Sequence, residues 1–302
     1  MSTRWMLKYA TQKGLSCLPF GTGAAANRWL QRRVGGLKNE PIYGFRRALV
    51  MVWLLEAHGC GVEAKTFCEL GTGWDASAAL ALLSLGAGKV HSFDLNRHLD
   101  PRMMMKGEDM IRHREGYQES DELPFAPDVE SIVRRTDPGR LQHECFVYHA
   151  PADARSTGLP DESIDVFFSL AVLEHVEASV IREILAESFR ILKPGGFCYH
   201  YIQPAMHAVQ VDPQATTVEY LRFSDFWWDM LFANDISHEN RLRAPEYAEL
   251  LKRAGFEICG NWHTLDQKAL AALPRMRLDD RFAHFAPEEL ATDYVWLLCQ
   301  KP

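Results

Sequence analysis

Seven cysteines are scattered along the 302 residues, and no two of them stand as C-x-x-C. Their odd number and irregular spacing exclude a regular disulfide framework and a zinc site built from cysteine pairs. Most are read as small buried apolar side chains. No apolar run is long enough to span a bilayer. The N-terminus lacks the charged start, apolar stretch and small-residue cleavage site of a secretory signal, so a cytoplasmic location is expected. Internal repeats and low-complexity tracts are also missing. A formal net charge of −7 argues against a general nucleic-acid binder. Acidic residues are absent altogether from Met1 to Lys38, where Arg4, Lys8, Lys13, Arg28, Arg32, Arg33 and Lys38 stand among Trp5, Leu7, Leu18, Phe20, Trp29 and Leu30. Such a stretch suits either a membrane-surface or anionic-partner segment, or a helical arm with its basic face in water. Gly14, Pro19, Gly21 and Gly23 break any long amphipathic helix and favour the arm. Residues 1–58 are accordingly read as an N-terminal helical arm or lid.

What is present is ordinary globular material, 47% hydrophobic and 24% charged. Residues 41–58 step at threes and fours through Ile42, Phe45, Leu49, Val52 and Trp53, which predicts a helix ending at His58-Gly59. Strand and helix signals then alternate. Strands are expected at Lys65–Leu70, Lys89–Leu95, Cys145–His149, Ile164–Leu170, Phe197–Ile202, Phe256–Trp262 and Tyr294–Gln300. Helices are expected at Asp75–Leu85, Ser179–Leu192 and Pro245–Ala254. Two polar or aromatic excursions, 97–140 and 203–244, interrupt the series as helical cap insertions. The alternation predicts an α/β domain over 59–302, a doubly wound and mostly parallel seven-stranded sheet covered on both faces. The last two strands lack a helix between them, so one antiparallel strand is expected near the C-terminal edge.

The stretch G71-T-G73-W-D75-A76 satisfies G-x-G-x-x-A at a strand-to-helix turn. Glycines there let backbone approach a ligand, and the following helix offers free N–H groups. Glu69 and Asp75 flank the turn. Two carboxylates suit a ligand carrying positive charge or many donors better than one carrying two phosphates. A nicotinamide-dependent oxidoreductase is therefore the weaker enzyme alternative. A non-catalytic partner protein that keeps the fold is the alternative from another class.

"ELGTG" followed by "HSFDLN", then "ADARSTGLPDESIDVFFSL", "AVLEHV" and "ILKPGGF", resembles in order and spacing the motifs of class I S-adenosylmethionine-dependent methyltransferases over roughly residues 60–205. The resemblance implies a Rossmann-like fold and S-adenosylmethionine as cofactor. It also implies roles by position. Glu69, Gly71 and Gly73 would line the methionine part. Asp94 would bind both ribose hydroxyls, as a carboxylate accepting two hydrogen bonds can. Leu95 would pack on the adenine. Asp153 and the Ala154 N–H would read the adenine edge. Ser169 and Leu170 would face the methyl group. Asp75 departs from the family, which usually has Gly or Ala there. It is read as a helix N-cap and a contact to the cofactor's amino group.

Methyl transfer needs alignment and exclusion of water, with a general base if the acceptor is a hydroxyl. His175 of "LEHV" and His207 are candidate bases, with Asp212 as a sequence neighbour that could pair with His207. No dedicated metal site is expected. His200, Arg222, Trp227, Asn240 and Arg241 are candidate substrate contacts, with aromatic faces for a sugar or ring and arginines for an anion. "YLRFSDFWWDMLF" and "HENRLRAPEY" resemble a bacterial subgroup acting in glycan or natural-product biosynthesis. The expected activity is direct methylation of a small-molecule or glycan-type acceptor, at oxygen rather than nitrogen, with S-adenosylhomocysteine as product.

Overall fold

Apolar β-branched and aromatic residues fill the short runs that form the sheet. In the computed structural model, which describes residues 4–17, 22, 42–114, 123–125, 127–234 and 238–302, these runs become seven strands. They are β1 (Thr66–Leu70), β2 (Lys89–Phe93), β3 (Phe146–His149), β4 (Ile164–Leu170), β5 (Leu192–Ile202), β6 (Glu257–Leu265) and β7 (Thr292–Gln300). They form one sheet in the order β3-β2-β1-β4-β5-β7-β6. β1 to β5 pair in parallel, whereas β7 runs antiparallel to both β5 and β6. The antiparallel strand is thus inserted one place in from the edge, and β6 forms the edge itself. β5 begins at Leu192, earlier than expected. The "KPGG" segment joins the ladder through an irregularity opposite Ile164 and Val166, with Gly195 at φ +74°.

The helices are α1 (Arg4–Ser16), α2 (Ile42–Ala57), α3 (Ser77–Ser84), α4 (Pro101–His113), α5 (Val129–Arg134), α6 (Ala178–Ile191), α7 (Asp225–Leu231), α8 (Ala244–Arg253), α9 (Gln267–Ala272) and α10 (Pro287–Leu290). Strand side chains alternate between the two faces. Phe67, Val90, Val166, Phe168 and Tyr199 enter one core with α2 and α3. Cys68, Phe93, Phe167 and Cys198 enter the other with α6 and α8. Four of the seven cysteines (Cys60, Cys68, Cys198, Cys299) are buried, and all seven are free thiols.

A third core lies apart from the sheet. Trp5 and Tyr9 of α1 pack there with Met206, Tyr220, Leu221, Trp228, Phe232 and Phe282. The aromatics of 203–244 are therefore mostly the interior of a cap, in which Trp5 meets Phe223 and Phe232 at ring-centroid distances of 6.0 and 5.6 Å. Part of the basic arm, residues 18–21 and 23–41, lies outside the described residues. No helix among the described residues is long and apolar enough to cross a membrane.

Parallel pairing aims the carboxyl ends of β1, β2, β4 and β5 at one end of the sheet. The opposite end is tied by Asp165, which accepts from the Thr66 N–H at 2.9 Å and the Lys193 ammonium at 2.9 Å. The strand tips are the end at which open α/β sheets bind ligands.

Candidate active site

The glycine turn leaves β1 in a left-handed course, with Gly71 at φ +81° and Gly73 at φ +69°. A Cβ on Gly71 would stand 2.5 Å from Val172 Cγ2, so this turn lies directly against the segment that follows β4. Around Gly73 a Cβ would meet nothing within 4 Å, which leaves its face open. The helix begins later than expected. Ala76, at φ +51°, is the N-cap, and Asp75 stands one residue before it with Oδ1 accepting from the Ser77 N–H at 2.9 Å. The successive left-handed residues use up the chain that a helix starting at Asp75 would need.

Glu69 is 3% exposed, and its Oε2 accepts from the Ser92 hydroxyl at 2.6 Å. Burial pushes its carboxyl up to about 8, against the lowering effect of the Ser92 hydrogen bond, with the charges of Asp75 and Asp94 adding to the rise. Asp94 sits just beyond β2. Its carboxylate is also raised, chiefly by burial, and is opposed by His98 and by the backbone N–H groups of Gly73, Leu95 and Asn96. Asp94 Oδ2 is buried with no hydrogen-bond partner among the described residues. Leu95 is two-thirds exposed beside it. Asp153 is held by Arg155, whose Nε and Nη2 donate to Oδ2 at 2.9 and 2.6 Å, and this ion pair keeps its carboxyl below the usual range. Ala154 is buried.

Ser169 departs from the expected outward role. Its hydroxyl is fully buried and bonded to His200 Nδ1 at 2.8 Å, because strand alternation turns position 169 into the sheet's second face while Leu170 stays half-buried. His200 is likewise a core residue and not a substrate contact. Its Nε2 lies 3.1 Å from the Cys198 thiol, and burial pulls its pKa down to about 3.

His175 and His207 are brought together, with ring centroids 4.9 Å apart and planes at 73°. The first lies in a 3-10 turn, Leu173–His175, after β4. The second opens another, His207–Gln210, after β5. His175 Nδ1 lies 2.7 Å from the His238 carbonyl, which fixes its orientation. Burial, with His175, Lys8 and Arg47 nearby, pulls the His207 pKa down to about 3. Asp212 is not the partner that proximity in sequence indicated. Its carboxylate accepts from the backbone N–H groups of Trp5 at 3.2 Å and Gln214 at 3.3 Å, so it is drawn to the start of α1.

Two residues missed at the sequence level complete this cluster. Glu174 is 4% exposed, its Oε1 accepting from the Gln203 N–H at 3.2 Å. Glu239 Oε1 accepts from the Tyr9 hydroxyl at 2.7 Å and the His207 N–H at 3.1 Å. Glu174 had a signal, its place beside His175 in "LEHV". Tyr9 and Glu239 are separated by 230 positions and had none.

The substrate candidates divide. Asn240 is structural: its side-chain amide donates to the Leu173 and Val176 carbonyls, both at 2.7 Å, and accepts from the Tyr247 hydroxyl at 2.9 Å. Arg241, 3% exposed, is structural too, bound to the Tyr220 and Phe223 carbonyls and to Asp225. Each is committed to backbone carbonyls that folding brings close, and Arg241 is buried as well. Arg222 and the half-exposed Trp227 instead line a cavity of about 660 Å³ with Trp5, Phe223 and Arg277.

Residues 68–200 match the model of the family described as "Methyltransferase domain". Sheet order and glycine turn agree with this match, and together they support a methyltransferase domain of the class I S-adenosylmethionine-dependent kind over residues 68–200, with S-adenosylmethionine as the cofactor. No curated protein matches the chain. Among solved structures it is similar to the magnesium protoporphyrin IX methyltransferase of Synechocystis with bound S-adenosylhomocysteine, at 12% identity, 92% coverage of this chain and 94% of that one, with a TM-score of 0.50. A Haemonchus contortus phosphoethanolamine N-methyltransferase 2 in complex with S-adenosylmethionine gives 15% identity, 91% and 59% coverage and a TM-score of 0.47. A Methanosarcina mazei S-adenosylmethionine-dependent methyltransferase gives 16%, 82% and 96%, and 0.46. At such identities the likeness speaks to fold alone.

Proposed function

We propose that the protein transfers a methyl group from S-adenosylmethionine directly to a small-molecule or glycan-type acceptor, at oxygen in preference to nitrogen. The observation that carries this reading is the convergence of Glu174, His175 and His207 at the tips of β4 and β5. The contact between Val172 and the position of Gly71 joins that cluster to the glycine turn.

The residues at the turn fit the cofactor. Asp94 would take the two ribose hydroxyls, because it offers a buried acceptor oxygen without a partner among the described residues. Glu69 would stand near the amino group, where its carboxylate neighbours favour positive charge. Leu95 would cover the adenine. Asp153 and the Ala154 N–H would meet the adenine edge, with Arg155 sharing the Asp153 carboxylate. Bound there, the cofactor supplies an electrophilic methyl group. The chain's own task is to hold the acceptor in line and keep water out.

A hydroxyl acceptor sheds a proton as it is methylated, whereas a neutral amine needs no base to attack. The ring nitrogens of His175 and His207 would take the hydroxyl's hydrogen bond and its proton. Helix α1 would act as the lid over this end, since Lys8 donates to the His207 carbonyl at 3.3 Å and Tyr9 to Glu239. Trp227 and Arg222 would offer an aromatic face and a cation to a larger acceptor.

Thermal unfolding with S-adenosylhomocysteine, NAD and NADP in parallel tests the cofactor side. Stabilisation by S-adenosylhomocysteine alone is expected, and stabilisation by NAD alone would overturn the reading. Once an acceptor is found by screening hydroxylated aromatics and sugars for S-adenosylhomocysteine release, His207→Ala should lower kcat about 10²- to 10⁴-fold. Its response to S-adenosylhomocysteine should remain. Unchanged turnover in both His207→Ala and His175→Ala would remove these histidines from proton transfer.

A further inference from the structure

We propose that Glu174, His175 and His207 form a binding site for one divalent transition-metal ion, of the zinc, manganese, iron or cobalt class, at the acceptor end of the active site. One ligand atom from each residue lies within 4.8 Å of the other two. The three come from separate turns held on the tips of adjacent, hydrogen-bonded strands, so their meeting is fixed by the sheet.

The hydrogen bonds show which atoms are left for an ion. His175 Nδ1 is engaged at the His238 carbonyl, which leaves Nε2 as the nitrogen with a lone pair to offer. A backbone carbonyl on the far nitrogen is the usual support of a metal-binding imidazole. His207 Nε2 is buried and has no hydrogen-bond partner among the described residues. The Oε2 of Glu174, a side chain 4% exposed, is in the same condition, while its Oε1 is fixed by the Gln203 N–H. Buried polar atoms left unpaired are costly to the fold. Two such atoms in one cluster, facing a third donor, are hard to account for by packing. An ion satisfies all three at once.

Glu239 borders the site. Its Oε1 is occupied by His207 N–H and the Tyr9 hydroxyl, and its buried Oε2 has no hydrogen-bond partner among the described residues. Two imidazoles and one carboxylate favour borderline transition metals over calcium or magnesium, which prefer oxygen ligands. Bonds of about 2.1 Å hold tetrahedral ligands about 3.4 Å apart, so the three side chains would draw in modestly around the ion. Positions beyond these three ligands would remain open to an acceptor oxygen. With metal bound, the ion would acidify and orient that oxygen in place of proton transfer to the two coordinated imidazoles, a role that rests on the methyltransferase reading above, whereas the binding of metal does not.

The test is calorimetric titration of chelator-treated, full-length protein with Co²⁺ and Zn²⁺, with the visible spectrum of the cobalt form recorded. Saturable 1:1 binding is expected, with ligand-field bands for Co²⁺. Glu174→Gln and His207→Ala should each weaken it at least 10-fold, since loss even of supporting residues costs that much. S-adenosylhomocysteine-induced stabilisation, measured on both variants, verifies that they fold. Absence of saturable binding in the unaltered protein would overturn the proposal. So would binding that survives unchanged in both folded variants. If the unaltered protein binds metal but never responds to S-adenosylhomocysteine, the metal site stands and the methyltransferase reading fails.

Discussion

Asp94→Ala should erase the stabilisation that S-adenosylhomocysteine gives the unaltered protein. A ligand at a hundred times its dissociation constant adds about 2.7 kcal/mol to the folded state. In the proposed reading the carboxylate accepts two charge-assisted hydrogen bonds, each worth about 1.5–3 kcal/mol. Losing both weakens binding by about 10²- to 10⁴-fold, since each 1.4 kcal/mol is tenfold. At the same ligand concentration the variant would then gain at most about 0.4 kcal/mol. Three backbone N–H groups, of Gly73, Leu95 and Asn96, surround the carboxylate and lose an acceptor in the variant. The fold itself should survive, because water reaches that end of β2 beside the exposed Leu95. Parallel melting curves with and without ligand decide the matter. An unaltered ligand response in a cooperatively melting Asp94→Ala would remove the ribose assignment.

Glu69→Gln should make the protein more stable at neutral pH and less able to hold its cofactor. The carboxyl is raised to about 8 in the fold, from 4.5, by burial first and by Asp75 and Asp94, with Ser92 opposing. Between those values the fold retains a proton that the unfolded chain releases. Its contribution is therefore complete below about pH 4.5 and is lost as pH climbs towards 8, at about 1.4 kcal/mol per unit. At pH 7 the loss amounts to roughly 3 kcal/mol. Glutamine carries the same shape, can still accept from Ser92 and has no such dependence. Urea midpoints should nearly coincide for the two proteins at pH 5 and separate by pH 7.5, with the variant ahead. An equal gap at both pH values would show that Glu69 does not titrate as burial dictates. In the proposed reading the cofactor's cationic end draws the proton off Glu69 as it binds, an ionisation that glutamine cannot undergo, so stability gained here is affinity given up.

Much of this architecture was legible in the residues. Period-two and period-3.6 patterns located all seven strands and the helices at 42–57, 77–84, 178–191 and 244–253, because each buries one side or both against a sheet. The glycine turn was readable since backbone conformation and ligand approach both select small residues. Side-chain commitments were not. Arg241 and Asn240 looked like ligands because arginine and asparagine often are, yet each satisfies carbonyls brought close only by folding. His207 was paired with Asp212, five positions on, whereas its companions Glu174 and His175 come from another strand tip. Long-range convergence of that kind leaves no trace in spacing.

The core of Trp5, Tyr9, Tyr220, Trp228 and Phe282 gives the cap an interior of its own, apart from the two cores that flank the sheet. A unit with its own interior can open as a body while the platform beneath stays folded. Exchange of small molecules would then be timed by the breathing of that unit, and recognition could be reshaped within it while the nucleoside cradle is left untouched.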